Sequence, residues 1–128
     1  MTIESPRFGR VITAMITPFD DGGALDLDAA ANLAAWLVDN GSDGLVLAGT
    51  TGESPVLTDS EEVALTKAVR AAVSVPVLLG TGSNDTSYAV SATRRAQQLG
   101  VDGVLVVGPY YNRPSQAGLD HYYRSVAA

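Results

Sequence analysis

Gly41-Ser42-Asp43-Gly44-Leu45-Val46-Leu47-Ala48-Gly49 recurs in pattern as Gly100-Val101-Asp102-Gly103-Val104-Leu105-Val106-Val107-Gly108. Both stretches read Gly-x-Asp-Gly, four apolar residues, Gly. The first glycine suits a helix end, where the backbone turns left-handed. The Asp-Gly pair suits an entry turn. Four apolar residues without alternation predict a strand buried on both faces, as in a parallel sheet. The closing glycine lets the backbone come close to a ligand.

Reading outward from this repeat gives β-α four times. Val11 to Thr17 is apolar and β-rich and predicts a first buried strand, ended by Pro18; Asp20-Asp21-Gly22-Gly23 is a turn cluster. Asp26 caps a predicted helix to about Asn40, with Leu27, Ala30, Ala31, Ala34, Leu37 and Val38 on one face. Leu45 to Ala48 is the second strand. Thr58 and Glu61 form a capping-box pair for a second helix, with apolar Val63, Ala64, Ala68 and Val69, ending near Val73. Pro76 to Gly80 predicts a third strand, followed by Thr81-Gly82-Ser83-Asn84 and a helix from about Thr86 to Leu99. Val104 to Val107 is the fourth strand. After the loop Gly108 to Pro114, a fourth helix starts near Ser115 and still runs at Ala128.

Regular β/α units imply a parallel sheet with right-handed crossovers. That leaves a doubly wound open sheet or half of a (β/α)8 barrel. No Gly-x-Gly-x-x-Gly follows the first strand, where a dinucleotide fold would place it. The stretch Tyr122 to Ala128 carries no helix stop, and a complete barrel takes roughly 250 residues. The expectation is therefore an α/β chain forming the first half of a TIM barrel, residues 1–128 being one half-domain truncated within its fourth helix.

The 128 residues carry a net charge of −6, and 46% are hydrophobic against 17% charged. A chain so apolar folds rather than staying disordered. An acidic balance argues against nucleic acid or an anionic membrane as partner. With no cysteine there is no disulfide framework, thiolate nucleophile or cysteine zinc site. Met1 to Gly9 lacks an apolar signal core, and no apolar run approaches about 18 residues, so the chain reads as cytoplasmic.

Candidate chemistry gathers after the strands. Gly49-Thr50-Thr51-Gly52-Glu53-Ser54 places two adjacent hydroxyls between a strand and a helix, where free N–H groups suit a carboxylate or phosphate. The plainer alternative is a βα turn whose threonines only satisfy local backbone groups. Tyr110 and Tyr111 follow the fourth strand; phenols bind anions and pass protons without holding charge, but an aromatic pair also suits a rim or interface. Glu53 fits an acid or base, or equally a partner to the loop backbone. His121 has no visible base–nucleophile pairing and fits a surface role. Asp20, Asp21, Asp26 and Asp28 match no metal loop and are explained by turn and cap duties. Lys67, the sole lysine, sits mid-helix beside Glu61, Glu62 and Arg70, which reads as a solvated face.

Four motifs together resemble the dihydrodipicolinate synthase family of pyruvate-dependent class I aldolases, whose superfamily includes N-acetylneuraminate lyase. They are Ala14-Met15-Ile16-Thr17-Pro18-Phe19, the Gly49–Ser54 loop, Gly80-Thr81-Gly82-Ser83-Asn84 and Pro109-Tyr110-Tyr111-Asn112-Arg113-Pro114-Ser115-Gln116. The resemblance covers nearly the whole chain, and the last motif points to the synthase branch. It implies condensation of pyruvate with aspartate 4-semialdehyde on the route to lysine and diaminopimelate. The resemblance further implies that pyruvate is held covalently as a Schiff base with a barrel lysine, without a cofactor or metal. Thr51 matches the position that binds the pyruvate carboxylate, Thr50 the proton-relay threonine, and Tyr111 the relay tyrosine that reaches a neighbouring subunit's site. A homo-oligomer, usually a tetramer of tight dimers, follows from the resemblance too.

The family's Schiff-base lysine, second relay tyrosine and substrate arginine fall in the second half of the barrel, beyond Ala128, and Lys67 does not match the catalytic position. The chain is expected to be inactive alone, and its open apolar edges to favour aggregation. Ser54, Asn84 and Tyr110 match or lie near allosteric lysine contacts. Asp59, Glu62 and Tyr88 stand where lysine-sensitive relatives carry two histidines and a glutamate, so weak or absent inhibition is expected. Two competing readings are a lyase or aldolase acting on N-acetylneuraminate or a keto-deoxy sugar acid, and a non-catalytic half-barrel that partners an intact subunit.

Overall fold

The computed structural model describes residues 6–128. The reading of Met1 to Ser5 as a lead-in without a signal core lies outside those residues. Four strands and four helices alternate: β1 Ile12–Ala14, α1 Leu27–Asp39, β2 Gly44–Leu47, α2 Asp59–Ala72, β3 Val77–Gly80, α3 Thr86–Gln98, β4 Gly103–Leu105 and α4 Gln116–Ala127. The strands pair in the order β1-β2-β3-β4, parallel throughout. Register runs Ile12 to Gly44, Leu45 to Val77 and Leu78 to Gly103. All four strands therefore end on one edge of the sheet.

The repeated Gly-x-Asp-Gly serves the same purpose twice. Gly41 and Gly100 take positive φ, 101° and 69°, and end α1 and α3. The Asp43 carboxylate then accepts the N–H groups of Arg10 and Val11 at 2.7 and 2.9 Å, which holds it below the usual carboxylate range. The Asp102 carboxylate accepts the Val77 N–H at 2.9 Å. Each aspartate closes the entry of the strand beside its own.

Side chains start the helices as the sequence predicts. Asp26 accepts from the Ala29 N–H; Thr58 and Glu61 form the reciprocal capping box; Ser115 accepts from the Gly118 N–H. The core lies between the sheet and the helices, with Leu45, Leu47, Val77 and Leu79 packed against Ala30, Ala34, Leu65, Val69 and Ala96.

One expectation needs correction. The outer strands are shorter than predicted and are not buried on both faces. In β1 and its extension Met15 and Thr17 are buried, while Ile12, Ala14 and Ile16 are exposed. After β4 begins, Leu105 and Val107 are exposed, 51% and 47%. The central strands are flanked on both sides, whereas an edge strand has one neighbour, so its face opposite the helices stays open. Between the threonine loop and α2, which starts where expected, a 3-10 turn, Ser54–Val56, intervenes, entered through Glu53 at φ 56°. Within α2 the buried residues are Glu62, Leu65, Thr66 and Val69, while the other apolar residues Val63, Ala64 and Ala68 are half-buried. No helix among the described residues is long and apolar enough to cross a membrane.

Candidate active site

The loops after β2, β3 and β4 pack backbone against backbone. A Cβ on Gly80 would lie 2.2 Å from the Ala48 carbonyl oxygen, and one on Gly82 would lie 2.3 Å from the Val107 nitrogen. Only hydrogen fits at either position. Ala48, buried at the end of β2, is itself turned to φ 48°, which aims the following Gly49–Ser54 loop across the sheet edge.

That loop is held from elsewhere. The Thr17 hydroxyl, buried at the end of the β1 run, donates to the Gly52 carbonyl at 2.6 Å. Within the loop the Glu53 N–H donates to the Thr50 carbonyl and the Ser54 N–H to the Gly49 carbonyl. Neither the Thr50 nor the Thr51 hydroxyl makes a hydrogen bond among the described residues, and both side chains are exposed. The turn therefore does not use its threonines to satisfy local backbone groups. Two hydroxyls stand ready on a loop fixed by other atoms.

A cleft of about 400 Å³ lies over these strand ends. Thr50, Ser54, Leu105, Val107, Tyr110 and Tyr111 line it, with Gly49, Gly80 and Gly82. It brings Thr50 together with both tyrosines; Thr51 is not part of its lining. The two phenol rings meet edge to face, centroids 6.1 Å apart. Tyr111 sits at φ 64° and is 95% exposed, so the backbone presents its ring outward. The Asn112 amide anchors the loop just beyond it, donating to the Asn84 carbonyl at 2.8 Å.

A second cleft, about 370 Å³, shares the Ser54, Pro55 and Tyr110 wall and opens between α2 and α3. Glu62, Ser83, Asp85 and Tyr88 also line it. Arg95 reaches Asp59 at 2.8 Å and Glu62 at 3.7 Å, and the Tyr88 hydroxyl donates to Asp59 at 2.8 Å. Burial raises the Glu62 carboxyl to about 7, against the pull of Arg95. Burial and the Asp59 hydrogen bond push the Tyr88 phenol up as well. Asn84 enters neither cleft; its carbonyl serves the Asn112 anchor.

The remaining candidates fall away from these clefts. Lys67 and His121 are exposed on α2 and α4. Lys67 does face solvent, but Glu62 beside it in sequence is buried, so that stretch is not one solvated face. Asp20 spends its carboxylate on the Gly22 and Ala24 N–H groups, and Asp26 caps α1. The Glu53 side chain does not cap the turn it precedes. Thr17 and Arg95 were not singled out from sequence, although Asp59, Glu62 and Tyr88, which Arg95 links, were. Thr17 had a signal, since period two from buried Met15 puts it on the same face.

A family model described as the dihydrodipicolinate synthetase family matches residues 7–128. Among named relatives, a 4-hydroxy-tetrahydrodipicolinate synthase of Prochlorococcus marinus is 58% identical over 127 residues, covering 98% of this chain and 42% of the relative. One of Moorella thermoacetica is 55% identical over 124 residues, covering 95% and 42%. Among solved structures, a dihydrodipicolinate synthase of Bacillus anthracis superposes with TM-score 0.91 at 47% identity, over 94% of this chain and 42% of that one. The synthase of Cyanidioschyzon merolae, solved with lysine bound, gives 0.92 at 49% identity over the same shares. The chain thus spans about 42% of the length of these relatives, and its four β/α units have the fold of a half-barrel.

Proposed function

The chain belongs to the dihydrodipicolinate synthetase family, and from that premise we propose that the whole protein is a 4-hydroxy-tetrahydrodipicolinate synthase. It joins pyruvate to L-aspartate 4-semialdehyde in lysine and diaminopimelate biosynthesis, in the cytoplasm. Residues 1–128 supply the N-terminal half of one barrel domain. The observation that carries the reading is the cleft in which Thr50 meets Tyr110 and Tyr111 at the C-terminal ends of parallel strands, where barrel enzymes do their chemistry.

Pyruvate is the first substrate. A lysine outside this chain attacks its keto carbon, water leaves, and the iminium draws electrons from the methyl carbon so that it loses a proton and attacks the aldehyde. No separate cofactor or metal takes part. Lys67, exposed on α2, is not that lysine. Thr51 receives the pyruvate carboxylate on a loop that Thr17 fixes in place. Thr50 and Tyr111 relay protons, for which a hydroxyl is suited because it donates and accepts without ionising. The outward presentation of Tyr111 supports its contribution to a neighbouring subunit's site, within a homotetramer of tight dimers. The chain on its own is inactive.

Steady-state assays on the full-length protein test this. Turnover is expected with pyruvate and aspartate 4-semialdehyde, and a preference of at least about tenfold over N-acetylneuraminate cleavage or keto-deoxy sugar acids. The reverse preference would move the protein to another branch of the superfamily.

A further inference from the structure

Tyr122 is the largest side chain that the described residues bury completely, and no step of the proposed reaction uses it. It lies on α4, packed with Ala89, Val126, Val90 and Val106. Its phenol is not idle in that apolar setting. The O–H donates to the Val107 carbonyl at 3.1 Å, and the same oxygen accepts the Ser83 N–H at 3.2 Å. Burial is the main cause that pushes this phenol up, so it stays protonated and able to donate. Ser83 belongs to the loop after β3, and Val107 to the loop after β4. One buried hydroxyl therefore joins both loops to α4.

The placement of those two bonds matters more than their number. Val107 stands just before the Gly108-Pro109-Tyr110-Tyr111 stretch, and Asn112, just after it, is bonded to the Asn84 carbonyl, one residue beyond Ser83. The tyrosine pair is suspended between two anchors that lead to the same short segment, Ser83-Asn84, one through the Tyr122 hydroxyl and one directly through Asn112. Tyr111 holds φ 64° between them, a backbone state that a non-glycine residue keeps only when its surroundings fix it. Packing alone would be met by a phenylalanine, so the hydroxyl is the part that requires explanation.

We propose that Tyr122 is a positioning residue: its hydroxyl sets the spacing between the loops after β3 and β4 and thereby fixes where Tyr111 is presented. The proposal rests on the synthase reading only for its catalytic consequence.

The test is Tyr122→Phe in the full-length protein, which keeps the ring and removes both bonds. The Ser83 amide is expected to exchange with solvent about tenfold faster, matching the loss of one ordinary hydrogen bond. The value of kcat is expected to fall on the order of ten- to a hundredfold, as a catalytic group is displaced by a fraction of an ångström to 1 Å. KM for pyruvate should stay within about twofold, because Thr51 is held by Thr17 and not by Tyr122. Faster Ser83 exchange with unchanged kcat would make Tyr122 a packing residue and overturn the proposal. If the wild-type protein has no synthase activity, the functional reading has failed; the positioning claim is then decided by a crystal structure of the variant, and an unmoved Tyr111 backbone overturns it. Should Tyr122→Phe not fold, 3-fluorotyrosine at position 122 retains the ring and lowers the phenol pKa. Its oxygen is also a weaker acceptor for the Ser83 N–H, so faster Ser83 exchange is expected together with a lower kcat, and faster exchange at unchanged kcat overturns the proposal.

Discussion

Gly80 and Gly82 are fixed by contact rather than by conformation: the space a methyl would take is filled by the Ala48 carbonyl and the Val107 backbone. Neither neighbour is the end of a flexible side chain, so Gly80→Ala is expected to cost about 3 kcal/mol, measured by urea unfolding. At the same scale, Thr17→Val removes the hydroxyl from the Gly52 carbonyl while keeping the shape. The expected cost is about 1–2 kcal/mol, and KM for pyruvate should rise several-fold in the full-length enzyme with kcat less affected. Thr50, Tyr110 and Tyr111 were legible in the sequence because a short apolar run followed by glycine and hydroxyls marks a strand end without knowledge of its partners. Thr17 and Tyr122 were not, since their value lies in backbone groups of loops far along the chain. Alternation with Met15 marks the face that Thr17 takes, but neither a threonine inside an apolar run nor a tyrosine inside a helix shows which backbone group it will bond.

Helices announce themselves through local chemistry, and their limits were legible for that reason. Asp26, Thr58 and Ser115 each bond their own first turn, so the signal and its cause lie within a few residues. The burial of α2 was not legible: Glu62 looks like surface charge until α3 brings Arg95 beside it. This pair makes a pH prediction. The Glu62 carboxyl is raised from 4.5 to about 7 in the folded chain, so the native state binds a proton that the unfolded chain has released. Its contribution to stability is full below pH 4.5 and is lost as pH rises to about 7. Asp43 and Glu61, whose carboxyls are held down by backbone N–H groups, titrate below that window and act with the opposite sign. Unfolding free energy measured between about pH 5 and 7.5 should decline, and Glu62→Gln should flatten the slope. The same helix pair bears on regulation. Arg95 already occupies Asp59 and Glu62, and Tyr88 occupies Asp59, so the cleft beside Ser54 and Tyr110 has its charges matched internally. Inhibition of the full-length enzyme by L-lysine is expected to be weak or absent; a micromolar inhibition constant would contradict this.

For the whole molecule, the four parallel strands follow from β-α repetition and the doubled Gly-x-Asp-Gly turn, and that much was plain in the sequence. The degree to which each strand is covered was not. Val11, Ile12 and Ile16 at one edge and Leu105 and Val107 at the other are exposed in this chain, though their composition predicts burial. An apolar edge with free backbone groups pairs with whatever strand it meets. The 128-residue chain in isolation is expected to elute above its monomer mass at micromolar concentration; a soluble monomer with a cooperative melt would count against the half-barrel account. The central claim, that this chain provides the rim of a Schiff-base enzyme whose lysine lies elsewhere, is tested most directly by borohydride reduction in the presence of pyruvate. Intact mass would be read on both the 128-residue chain and the full-length protein. The account predicts an adduct on the full-length protein alone. An adduct on the short chain, mapped to Lys67, or none on either, would contradict it.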